Sequence, residues 1–150
     1  MLSIGRRVSE LALEPLFLID DSLVYQVANA LALFEYNVTS VRVVFGGRDR
    51  VKDPEIISWL AALDGPGVWI HADDRAKKQH RAEIIAGGIS TVWVIRPGGS
   101  MSGKHQLRLL SWAIPNILDQ YTPFHRPFHV RARERGESAR PRPSVKPFSI

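Results

Sequence analysis

Leu16-Phe17-Leu18-Ile19-Asp20-Asp21-Ser22 is the stretch whose reading decides the fold. Four apolar residues run straight into two carboxylates. A short apolar run of this kind reads as a strand buried on both faces, with the acids where it ends. Ser22 is placed to cap a helix that follows. The pattern returns at Val68-Trp69-Ile70-His71-Ala72-Asp73-Asp74. In parallel α/β sheets, ligands bind just outside the carboxyl ends of the strands. If the two strands are neighbours in one such sheet, their carboxylates converge on a single edge. Clustered like charges repel unless a cation holds them. The expectation is therefore a divalent-metal site.

The flanking chain supports an alternation of helix and strand. Residues 1–15 read as a short helix or loose arm, closed by Pro15. Leu23, Val27, Ala30, Leu31 and Phe34 recur at helical spacing between Ser22 and Glu35. Val38 to Phe45 is valine-rich and reads as a second strand. Gly46-Gly47-Arg48-Asp49-Arg50 is a polar loop. Asp53-Pro54-Glu55 carries a helix start, with Asp as N-cap and Pro at the first helical position. Ile56, Ile57, Leu60 and Leu63 supply that helix's apolar face, and Gly65-Pro66-Gly67 turns the chain into the third strand. A helix capped by Asp73 or Asp74 is expected to reach Ala86, where Gly87-Gly88 stop it. Thr91 to Ile95 is a fourth buried strand. Pro97 to Gly103 is a connector, and Lys104 to Tyr121 a long amphipathic helix divided or kinked at Pro115. Pro123 to Val130 adds a short edge strand. Strands alternating with helices indicate a three-layer α/β/α sandwich around a mainly parallel sheet.

Composition narrows the function classes. With 150 residues and 45% apolar content, one domain from 16 to 133 is expected. No apolar stretch approaches the roughly 20 residues of a membrane span. The first fifteen residues lack the apolar core and cleavage site of a secretory signal. The absence of cysteine excludes disulfides, thiolate metal sites and cysteine nucleophiles, and fits a cytoplasmic location. The formal charge is +5, but residues 131–150 alone hold six Arg or Lys against two Glu. The basic character thus belongs mostly to residues 131–150, of which 134–150 are a Pro/Arg-rich tail expected to be disordered when free.

The chemistry rests on the acids. Asp20, Asp53 and Asp73 are the leading candidates, with Asp21, Glu55 and Asp74 beside them. Carboxylate oxygens suit Mg²⁺ or Mn²⁺, which keep several waters and bridge phosphate oxygens. Water held by such an ion is more acidic than bulk water and can attack a phosphodiester in line. The bland readings compete: Asp53 before proline serves equally as a cap, and one of Asp73 and Asp74 caps the next helix. Asp20 is harder to explain away, because a carboxylate straight after a buried strand needs a partner.

Phe17-Leu18-Ile19-Asp20-Asp21-Ser22-Leu23, Val38-Thr39-Ser40-Val41, Asp53-Pro54-Glu55-Ile56-Ile57 and Trp69-Ile70-His71-Ala72-Asp73-Asp74-Arg75, in that order, resemble the PIN-like domains of VapC-type toxins. The resemblance runs from about Leu16 to Ile95. It implies a Mg²⁺- or Mn²⁺-dependent ribonuclease of a toxin–antitoxin pair, with RNA and a cognate antitoxin as partners and a homodimer as assembly. It maps the family's three acids onto Asp20, Asp53 (with Glu55 as an alternative) and Asp73, and an additional acid onto Asp74 or Asp21. Two positions depart from the pattern. His71 stands where a hydroxyl-bearing residue is common, and the third-strand acids are adjacent.

Arg75, Lys77, Lys78, His80 and Arg81 form a basic run that either holds RNA phosphates or is a solvated helix face. Trp59, Trp69, Trp93 and Trp112 lie on apolar faces and read as core first; a tryptophan or Tyr25 left exposed could stack on a base. Two other functions fit the acids. One is a receiver-like phosphoacceptor, although no hydroxyl-and-lysine pair follows Thr91–Ile95. The other is a binding protein that has kept the fold without activity.

Overall fold

The computed structural model describes residues 14–135 and 142–150. The expected arm falls mostly on residues 1–13, outside the described residues. The described chain forms a six-stranded sheet in the order β2-β1-β3-β4-β5-β6. Its strands are β1 (Leu16–Ile19), β2 (Val38–Ser40), β3 (Gly67–His71), β4 (Ser90–Val94), β5 (His129–Arg135) and β6 (Arg142–Pro147). The first five are parallel, and β6 alone runs antiparallel, against β5. The helices are α1 (Tyr25–Leu33), α2 (Val41–Val44), α3 (Asp53–Ala61), α4 (Asp74–Gln79), α5 (Arg81–Ala86) and α6 (Gly103–Gln120).

Alternation along the strands divides the core in two. Phe17, Ile19, Val68, Ile70, Val92, Val94, Val130 and Ala132 pack against Val27 and Leu31 of α1 and Leu109, Leu110, Ile114 and Ile117 of α6. Leu18 and Trp69 face the other way, onto Val41, Ile56, Ile57, Leu60 and Ile84. Helices therefore cover both faces of the sheet in three layers. Trp69 is fully buried, and Trp59 and Trp112 are partly buried against their clusters, as their spacing suggests. Gly67 opens β3 because Leu60 crowds it: a Cβ there would lie 2.9 Å from Leu60 Cδ2.

Several elements differ from the sequence expectation, each for a local reason. The valine-rich run 38–45 is a strand only to Ser40. The Ser40 hydroxyl then accepts the Val43 N–H at 3.2 Å and starts α2. Ser22 caps no helix, since α1 begins at Tyr25 after Val24. Asp53 is the first residue of α3 rather than its cap, and the Glu55 carboxylate accepts the Lys52 N–H at 3.0 Å instead. The helix expected from 74 to 86 breaks into α4 and α5 at His80 (φ −119°, ψ 24°). Helix α6 continues through Pro115 as one element.

The largest difference is the tail. Residues 142–147, read from composition as part of a disordered segment, form β6 along β5. Phe148 donates its N–H to the His129 carbonyl at 2.8 Å, and its ring lies 5.1 Å from that of Trp93. Ile150 packs against the second core. Backbone direction alternates along a strand, so the donors at 143, 145 and 147 face away from β5. Pro143 and Pro147 remove two of those three, which blunts the edge against a further strand. Among the described residues, no helix is long and apolar enough to cross a membrane.

Candidate functional site

The register of the sheet brings the two acid-bearing strand ends together. Ile19 of β1 lies opposite Ile70 of β3, and Asp20 N–H donates to the Ile70 carbonyl at 2.9 Å. In the order β2-β1-β3-β4, the connection reverses between β1 and β3, and that switch point is where open α/β sheets bind ligands. Asp20 stands at this point. A cavity of about 300 Å³ lies elsewhere, lined by Pro15, Pro66, Ser90, Thr122 and Phe128 where strands begin, and its lining has no carboxylate.

Ser22 fastens the edge. Its hydroxyl accepts the Ala72 N–H at 3.0 Å, its N–H donates to Asp20 Oδ2 at 3.3 Å, and its carbonyl accepts from Arg96 at 3.2 Å. One side chain thus ties the loop after β1 to the loop after β3, and Arg96 ties it to the end of β4. Neither role was read from the sequence. Arg96 follows a buried strand as Asp20 does, and that position was the available signal.

The carboxylates sense one another. Burial pushes the Asp20 pKa above its ordinary value, and Asp53 and Asp21 push it further. The hydrogen bonds from Ser22 work in the opposite direction. Burial likewise raises Asp53, helped by the Asp73 charge and opposed by His80. Asp20, Asp53 and Asp73 therefore form an electrostatic chain from three separate elements. Asp73 also carries the capping role: its Oδ1 accepts the Arg75 N–H at 3.0 Å and Arg75 Nε at 3.4 Å. The Asp74 side chain lies outside the described residues. Asp21 is exposed and turns toward a neighbouring groove.

Glu55 is turned to other work. It binds the Lys52 N–H and Arg48, at 2.7 Å from the guanidinium, and both hold its pKa below the usual range. The basic run is partly committed as well. Arg75 is on Asp73, Arg81 donates to the Ile150 carbonyl at 2.7 Å, Lys78 has an internal interaction, and the Lys77 side chain lies outside the described residues. His71 is fully buried with its ring 5.0 Å from that of Trp69, a structural placement.

Among the described residues, no three acid or histidine side chains stand close enough to enclose an ion unaided. The donor chemistry nonetheless fits Mg²⁺ or Mn²⁺. Such ions are commonly held by one or two carboxylates together with substrate phosphates, and Asp20 and Asp53 are a carboxylate pair whose repulsion a cation would relieve. No family model, curated protein or solved structure matches the chain.

Proposed function

We propose that this chain is a metal-dependent endoribonuclease of the PIN-like, VapC type, restrained by a cognate antitoxin. The observation that carries the reading is the convergence of Asp20 and Asp53, both raised in pKa, at the switch point of a parallel sheet. Carboxylates in that state favour a divalent cation over open solvent, because the cation removes the cost of two neighbouring charges. Bound there, Mg²⁺ or Mn²⁺ supplies the positive charge that activates water and offsets charge on the phosphate.

The chain's own residues do the positioning. Asp20 and Asp53 hold the ion, with Asp73 at their side and Asp74 and Asp21 as the further acids of the resemblance. Ser22 and Arg96 keep the loop bearing Asp20 from moving when phosphate arrives. The reaction adds water to phosphorus and releases the ribose oxygen, so no side-chain nucleophile is needed. In a clean preparation, Asp20→Asn is expected to lower Mn²⁺-dependent RNA cleavage by more than about a hundredfold, since even outer-shell metal partners are worth 10–100-fold. Cleavage at the wild-type rate by a folded Asp20→Asn protein rejects the proposal.

A second reading has one observation in its favour. The order of the first five strands is the flavodoxin-like one shared by receiver-like phosphoacceptors. The end of β4, however, leads into Ile95 and Arg96, with no hydroxyl at the position where such a module would use one. Incubation with acetyl phosphate separates the two: stable phosphorylation of Asp73 supports the receiver, and cleavage without it supports the ribonuclease.

A further inference from the structure

The groove next to the acidic edge offers two arginines and an aromatic face. It holds about 600 Å³, within the range of ligand sites, and is lined by Asp21, Tyr25, Gln26, Arg42, Asp49 and Arg50. Asp21 belongs to both places, so the groove opens directly beside Asp20. The Arg42 guanidinium lies 4.9 Å from the centroid of the Tyr25 ring. Tyr25 is the first residue of α1, and the helix entrance is fixed from behind: buried Gln106 accepts the Val24 N–H at 2.8 Å and donates to the Met101 carbonyl at 2.8 Å. The aromatic ring is therefore presented by a rigid element.

The groove's arginines differ from three others in the fold. Arg48, Arg75 and Arg108 are each spent on a carboxylate. Among the described residues, no carboxylate pairs with Arg42 or Arg50, and both are exposed. Arg50 also stands at φ +57°, an uncommon conformation for a residue with a side chain. Exposed cations beside a half-buried ring are what a flexible polyanion with stacking faces requires.

We propose that this groove seats an unpaired nucleotide of the RNA next to the bond that is cut, with its base on the Tyr25–Arg42 platform and adjoining phosphates at Arg42 and Arg50. The inference rests on the ribonuclease reading and adds the place where an unpaired base is seated. A duplex hides its base faces in the stack, so only an unpaired base reaches Tyr25.

The test uses the full chain in EDTA, where cleavage is off, and reads fluorescence anisotropy of an end-labelled RNA oligomer, single-stranded or annealed. The single strand is expected to bind at least about tenfold tighter than the duplex, and Tyr25→Ala to lose about tenfold, the scale of one stacked base. Tyr25→Phe restores binding. Arg42→Gln weakens it and lowers the salt slope by about 0.7, the value for one phosphate on a single strand. Equal affinity for duplex, or undiminished binding by folded Tyr25→Ala and Arg42→Gln, overturns the groove. If Mn²⁺-dependent cleavage persists in that case, the ribonuclease reading survives it. Groove-dependent binding by a wild-type protein that never cleaves upholds the groove and rejects the ribonuclease.

Discussion

Glu55 and Glu134 each face an arginine, whereas Asp20 feels the charge of Asp53 and Asp53 that of Asp73. Glu134 receives two 2.7 Å hydrogen bonds from Arg108, which tie α6 to β5. Glu55 closes the first turn of α3 and holds Arg48. These acids serve the fold, and their charges are answered. Asp20 and Asp53 are drawn partly out of water and left beside like charge. Ser22 and His80 offset part of that cost, and a cation bound there would offset more, as the proposed function requires. The contrast separates acids paired with arginine inside the fold from the acids to which the proposal assigns a ligand.

The widest gap between the two sets is expected on substitution. Asp53→Asn should abolish metal-dependent cleavage to beyond about a hundredfold, yet raise the melting temperature of the metal-free protein, because it removes a charge that burial and Asp73 oppose. A folded variant that melts lower and still cleaves would break the comparison.

A smaller difference should appear in pH dependence, with opposite signs. Asp20 binds its proton more tightly folded than unfolded. Between the ordinary carboxylate pKa and the raised one, the folded state holds more protons, so this contribution to stability declines as pH rises. Glu55 is shifted down, so its contribution is present above the ordinary carboxylate pKa and is lost as pH falls through the lowered value. Melting temperatures of wild type, Asp20→Asn and Glu55→Gln across the acidic range give the two difference curves. The Asp20 difference is expected to fall with pH and the Glu55 difference to rise. Curves of one sign would erase the distinction.

The smallest effect is on activity itself. Glu55→Gln is expected to cleave within about twofold of wild type, since surface ion pairs contribute little, while melting slightly lower. A collapse of cleavage in this variant would move Glu55 into the metal-binding set, which the resemblance left open.

The sheet was legible because its signals are short-range. Phe17 to Ile19, Val68 to Ile70 and Val92 to Val94 are apolar runs bounded by turn residues, and such runs have few other uses in a chain this size. The acids at their ends were legible for the same reason. Less visible were features set by contacts between distant residues. Ser40 ends a valine-rich run as a helix cap, Glu55 finds Arg48 across a loop, and Arg81 meets Ile150 from the far end of the chain. The tail misled composition because its strand needs few apolar residues of its own. It borrows hydrogen bonds from β5 and one ring contact from Trp93.

The sequence by itself determined the buried runs of β1, β3 and β4 and that carboxylates follow the first two, because periodicity and the cost of burying charge act locally. Tertiary structure decided which acids meet. Strand order set β1 beside β3 and brought Asp53 in from a helix start, and pairing with arginine withdrew Glu55. Electrostatic coupling depends on distance in space, and separation along the chain does not specify that distance.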